Sequence, residues 1–197
     1  MAEIVLFHHA QGVTPGIVAL AEEFRSAGHI VHMPDLFDGN VFDTLGEGMA
    51  YAESIGFGEI VQRGVRAVEG LSNDLVYAGF SLGVLPAQCL AQTREGARGA
   101  LLFHACVRAA EFGSGWPGGL PAQIHAMDAD PFFVGDGDID AARAIAAGAD
   151  DVKLFLYPGD RHLFSDRSLA DHDAAATETM MRRSIDFLKN HPVGSHR

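Results

Sequence analysis

Cysteine is scarce in this chain: Cys89 and Cys106 are the only two, without CxxC spacing and too few for a disulfide scaffold, which fits a reducing compartment. Positive charge is scarce as well. Lysine and arginine number 14 against 26 aspartates and glutamates, a formal net charge of -12, and such a field repels nucleic acid and anionic membrane surfaces. The expected partners are small molecules or proteins. Long apolar runs are missing too: the longest, residues 4–7 and 17–21, fall far short of the ~18 needed to span a bilayer, so no membrane insertion is expected. No basic region or cleavage site precedes the first apolar run, so no secretory leader is expected and the expected location is cytoplasmic.

What remains is an ordinary globular balance. With 197 residues, 48% hydrophobic and 20% charged, the chain can bury roughly 70% of its unfolded surface in one domain without a disulfide or metal staple. Residues 1–190 are expected to form that domain, as a monomer or homodimer, and residues 191–197 a disordered tail.

Short β-rich runs alternate with stretches of helical period from end to end, which predicts an α/β fold around a mostly parallel sheet of about six or seven strands. Strands are expected at about residues 4–8, 29–33, 75–80, 100–105, 122–127 and 152–157, most of them continuous apolar runs as strands buried on both faces should be. Helices are expected at about 16–27, 59–71, 82–93, 138–147 and 174–190. Two connections, residues 34–58 and 106–121, are long enough to be lids or binding loops, the second being glycine-rich and carrying the single tryptophan, Trp116.

The segment Leu75-Val76-Tyr77-Ala78-Gly79-Phe80-Ser81-Leu82-Gly83 runs a buried strand through G-x-S-x-G straight into a helix, the pattern of a nucleophile elbow. A serine on so tight a turn has a strained backbone, and Gly79 and Gly83 remove side chains that would collide there. The turn exposes Oγ and aims the first helical N–H groups, beginning with Leu82, at the place where a carbonyl oxygen becomes negative during attack.

Serine needs a histidine to take its proton and a carboxylate to hold that histidine, in the chain order Ser, acid, His for this kind of elbow. Two carboxylates, Asp128 and Asp130, follow the fifth strand. Asp130 is favoured because it precedes Pro131, which favours a loop, whereas Asp128 lies nearer the strand and can equally satisfy loop N–H groups. After the last strand, the loop Pro158-Gly159-Asp160-Arg161-His162 places His162 at the same sheet edge as the general-base candidate. The second oxyanion donor is expected from the loop after the first strand, at the N–H of Ala10. The adjacent His8 and His9 point to opposite faces of an extended chain and no carboxylate or cysteine nearby completes a ligand set, so neither metal nor cofactor is expected. Candidate pocket walls are His9, His104, Trp116, Phe132 and Phe133.

From Ile4 to about Leu188 the chain resembles the dienelactone hydrolase family of α/β-hydrolases, on Gln11-Gly12-Val13, Met33-Pro34-Asp35-Leu36-Phe37, Gly79-Phe80-Ser81-Leu82-Gly83, Asp130-Pro131-Phe132, and Tyr157-Pro158-Gly159 through His162 and Phe164. The resemblance implies a three-layer α/β-hydrolase sandwich, a Ser81, Asp130, His162 triad, and Leu82 and Ala10 as oxyanion hole. Two positions depart from the family's namesakes: they carry cysteine where this chain has Ser81 and glutamate where it has His9. Those enzymes also hold the substrate carboxylate with arginines, and neither Arg161 nor Arg167 occupies a matching position. The expectation is therefore a serine hydrolase acting on a small ester, lactone or thioester. The alternatives are acyl transfer or C–C cleavage by the same residues, or a catalytically silent binding module.

Overall fold

The structure is a computed structural model that describes residues 1–190. The expected tail, residues 191–197, lies outside the described residues. Six strands form one sheet: β1 (Glu3–Phe7), β2 (Ile30–His32), β3 (Val76–Phe80), β4 (Gly99–Phe103), β5 (Ala122–Met127) and β6 (Val152–Tyr157). Their order is β2-β1-β3-β4-β5-β6, and every neighbouring pair is parallel. The expected strand runs all appear, within one or two residues at their ends.

Alternation of side chains along each strand splits the apolar residues between two cores. Val5, Phe7, Tyr77, Leu102 and Ile124 face one core, closed by α2 (Leu45–Ile55), α3 (Phe57–Ala67), α4 (Val84–Thr93), α5 (Pro131–Gly135) and α6 (Asp138–Gly148). Ile4, Leu6, Ala78, Phe80 and Leu101 face the other, closed by α1 (Pro15–Ser26) and α7 (Ala174–Asn190). The result is the three-layer helix–sheet–helix sandwich of an α/β-hydrolase. Because the chain leaves β1 toward β2 on one side and returns to β3 on the other, the C-terminal ends of β1 and β3 flank a topological switch point, where open parallel sheets bind ligands.

One expected loop is corrected. Residues 34–58 contain α2, which Thr44 opens with a capping box: its hydroxyl accepts the Glu47 N–H while the Glu47 carboxylate accepts the Thr44 N–H. Glycines at 46 and 48 weaken the helical signal in the sequence. Gly48 has a packing reason to be there, since a Cβ would lie 1.9 Å from the Ala10 carbonyl oxygen. The helix thus lies directly against the loop after β1. The other long connection, 106–121, has only a single 3-10 turn at Ala109–Glu111.

Candidate active site

Strand β3 delivers Ser81 into a 3-10 turn, Ser81–Gly83, that leads directly into α4. Ser81 has φ +49°, a conformation L-residues rarely hold. The flanking glycines permit it: a Cβ on Gly79 would meet the Gly83 carbonyl oxygen at 2.2 Å, and one on Gly83 would meet the carbonyl oxygens of Phe7 and His8 at 2.5 and 2.6 Å. The second contact also seats the turn against the end of β1, beside the loop that carries Ala10.

Three side chains converge at this edge. Ser81 Oγ lies 2.8 Å from His162 Nε2, and His162 Nδ1 lies 2.7 Å from Asp130 Oδ2. An ionised carboxylate only accepts, so Nδ1 carries the proton toward Asp130 and Nε2 is left to accept the Ser81 O–H. Asp130 is fully buried, while Ser81 and His162 keep 9% and 6% of their surface. Pro131 places Asp130 at the N-cap of α5, where its other oxygen, Oδ1, accepts the Phe132 N–H at 2.9 Å and the Phe133 N–H at 3.4 Å. Asp128 is occupied elsewhere, accepting the Gly159 N–H at 3.1 Å and so tying the loops after β5 and β6 together.

A cavity of about 440 Å³ opens over Ser81, Leu82 and His162, walled by Leu45 and Met49 of α2, Phe57 of α3, Leu85 of α4, Val107 and Phe132. The Phe132 ring sits 4.7 Å from that of His162. Asp136 and Asp138 are the carboxylates on its lining. Asp138 accepts the Cys106 N–H at 3.0 Å, and burial pushes its pKa up. An adjoining cavity of about 380 Å³ shares these two aspartates and adds Arg108 and Glu111.

Four expected pocket residues lie elsewhere, each for a packing reason. His9 is sealed beneath the loop, 2.9 Å from Asp166 through Nε2, while its Nδ1 accepts the Gln11 N–H at 3.1 Å. His104, at φ +67° after β4, is fully buried and bonds Ser165 Oγ through Nε2 at 2.7 Å. Burial holds its ring neutral, and it stands edge-on to Phe164, under the loop that carries His162. Phe133, one residue along α5 from Phe132, turns inward to the core. Trp116 donates to the Leu120 carbonyl and packs beside Ala141, Ala144 and Ile145 of α6.

Among the residues missed from the sequence are Leu45, Met49 and Phe57, which belong to or follow the unrecognised helix, Leu85 and Val107, and Asp136, Asp138 and Asp166. The Thr44-x-x-Glu47 signature was the local signal for the first group. Among the described residues no group of three or more His, Cys, Asp or Glu is arranged to hold a metal ion, and no helix is long and apolar enough to cross a membrane.

No curated protein matches the chain in sequence. Among solved structures it is similar to a dienelactone hydrolase-like promiscuous phosphotriesterase from metagenomic libraries (17% identity, TM-score 0.76, 97% of this chain and 87% of that one). It is also similar to a dienelactone hydrolase from Anabaena variabilis (18% identity, TM-score 0.69, 97% and 87%) and to a thermophilic esterase from Thermogutta terrifontis with propionate bound (17% identity, TM-score 0.71, 100% and 85%). At such identities these likenesses establish the shared fold. The sequence model of one family, however, matches residues 1–192, nearly the whole chain. The protein has the α/β-hydrolase fold and belongs to the dienelactone hydrolase family.

Proposed function

We propose that this hydrolase cleaves a small carboxylic ester, lactone or thioester through an acyl-enzyme on Ser81. The observation that carries the reading is the hydrogen-bonded line Ser81–His162–Asp130, with bonds of 2.8 and 2.7 Å, ending at the floor of an apolar cavity. His162 Nε2 takes the Ser81 proton as Oγ attacks the substrate carbonyl carbon. The carbonyl oxygen becomes an anion facing the N–H groups of Leu82 and Ala10. As the tetrahedral intermediate collapses, His162 gives its proton to the leaving alcohol or thiol. Water, deprotonated by the same nitrogen, then attacks the acyl-enzyme and releases the acid. Asp130 keeps the Nδ1–H tautomer in place and stabilises the imidazolium formed in each half-reaction.

The family places the protein among hydrolases, and two of its structural neighbours are described as an esterase with propionate bound and as a promiscuous phosphotriesterase, chemistry that suits an activated serine. The test is incubation with an alkyl fluorophosphonate followed by intact-mass measurement, with Ser81→Ala and His162→Ala alongside. Stoichiometric labelling of the wild type that disappears in both variants is the expected result. Labelling that survives in Ser81→Ala, or a folded wild type that resists the reagent, overturns the reading.

A further inference from the structure

The proposed site lacks any counter-ion for a substrate carboxylate. Among the described residues, no lysine or arginine lines the cavity over Ser81, and its ionisable groups besides His162 are Asp136 and Asp138. Arg161, one residue before His162, donates to the His172 carbonyl at 2.9 Å, and Arg167 pairs with Glu23 of α1. Arg108 does not line this cavity but the adjoining one, where Glu111 and the same two aspartates outnumber it. Burial pushes the pKa of Asp138 up; against this, Asp138 opens α6, whose N-terminal backbone favours a negative charge there, and its carboxylate accepts the Cys106 N–H. The remaining walls are hydrocarbon and aromatic: Leu45, Met49, Phe57, Leu85, Val107 and Phe132. The net charge of -12 repels anions at long range as well.

Resting on the serine-hydrolase reading above, we propose that the Ser81 site takes uncharged, apolar esters or lactones and rejects substrates that carry a carboxylate, with Asp136 and Asp138 as specificity-determining residues. A carboxylate inside the cavity loses water, finds no cation and faces two charges of its own sign. Like-charge juxtaposition of this kind is worth at least about tenfold in rate of capture. The site therefore differs in sign from an arginine-lined one.

The test uses two fluorophosphonates that differ only at the end of one alkyl chain, methyl in one and carboxylate in the other. In each, Ser81 Oγ forms a bond to phosphorus, fluoride leaves and the serine proton passes to His162, so intact mass reports capture without requiring the natural substrate. The second-order labelling rate of the wild type is expected to be at least about tenfold higher for the neutral reagent. That ratio is expected to fall at least about threefold in Asp136→Asn/Asp138→Asn and to shrink with added salt. Asp136→Asn alone, at an exposed position, provides a second variant should the double one fail to fold. Equal labelling by the two reagents, or a ratio unchanged in the aspartate variants, overturns the inference while leaving the serine-hydrolase reading intact. Failure of both reagents to label the folded wild type defeats that reading and this inference with it.

Discussion

Two buried histidine–aspartate pairs lie at the C-terminal edge of the sheet, His162–Asp130 at 2.7 Å and His9–Asp166 at 2.9 Å, and they differ in what the second ring nitrogen meets. In His162 it is Nε2, and it meets Ser81 Oγ. In His9 it is Nδ1, and the Gln11 N–H already occupies it. The carboxylates differ as well. Asp130 divides its oxygens between His162 and the first N–H groups of α5. Burial alone would raise the pKa of Asp166, but bonds from His9, Ser168 and Thr14 outweigh it and hold the carboxyl down to about 2. Gly16 at the start of α1 leaves room for this carboxylate, since a Cβ there would lie 1.6 Å from it. A buried histidine–aspartate pair is thus available for proton transfer only when its outer nitrogen has been left free of backbone. The second pair is a strut between the loops after β1 and β6.

The largest expected effect falls on the pair that reaches serine. Ser81→Ala and His162→Ala should each lower kcat for a neutral 4-nitrophenyl ester by about 10⁴-fold or more. A retained rate would mean that another group carries the chemistry. Asp130→Asn should cost about 10³- to 10⁴-fold in kcat, because an amide can hold the wrong tautomer of His162. Asp166→Asn should cost far less activity and instead lower stability by about 2–4 kcal/mol in urea unfolding, through the bonds from His9, Thr14 and Ser168. Equal losses of kcat in the two asparagine variants would erase the distinction between base and strut.

Acid should act on the strut and on the other buried rings. Burial lowers the pKa of His9 and His104, and that of His125 to about 3, so the unfolded chain binds protons below its histidine pKa near 6.5 that the folded chain does not. Stability is therefore fully present above that pH and should fall on acidification, for His125 by about 1.4 kcal/mol per pH unit between about 6.5 and about 3, with losses of the same sign from His9 and His104. Asp166 adds a loss of the same sign at lower pH. Its folded pKa is depressed, so its contribution stands above about pH 4 and is lost as pH falls through about 2. Urea midpoints at pH 7, 6 and 5 check the histidine part, and a flat profile would contradict it. The smallest effect is expected from Phe132→Ala, which removes a ring beside His162 and should raise KM for an apolar ester by about three- to tenfold with kcat changed less. Steady-state kinetics decide this, and a purely kcat effect would assign Phe132 to positioning His162.

The elements that local chemistry specifies were legible: six apolar strand runs, the glycine-flanked serine between strand and helix, and Asp130 set apart from Asp128 by the proline after it. Helix α2 was obscured by glycines whose reason lies across the molecule, at Ala10 for Gly48. Phe132 and Phe133 are indistinguishable as neighbouring aromatics until α5 has docked, when one faces the cavity and the other the core. His9 read equally well as a pocket wall because its partner, Asp166, is 157 residues away.

By itself, then, the sequence determined the α/β alternation, the elbow and the order of Ser81, Asp130 and His162 along the chain, since these rest on side-chain periodicity, backbone sterics at glycine and proline, and chain direction. Only the tertiary structure decided which histidine keeps a free nitrogen, which carboxylates line the cavity and which aromatic rings reach it. Those outcomes depend on contacts between residues far apart in the chain, and hydrogen-bond capacity and packing space are allotted only when the layers close.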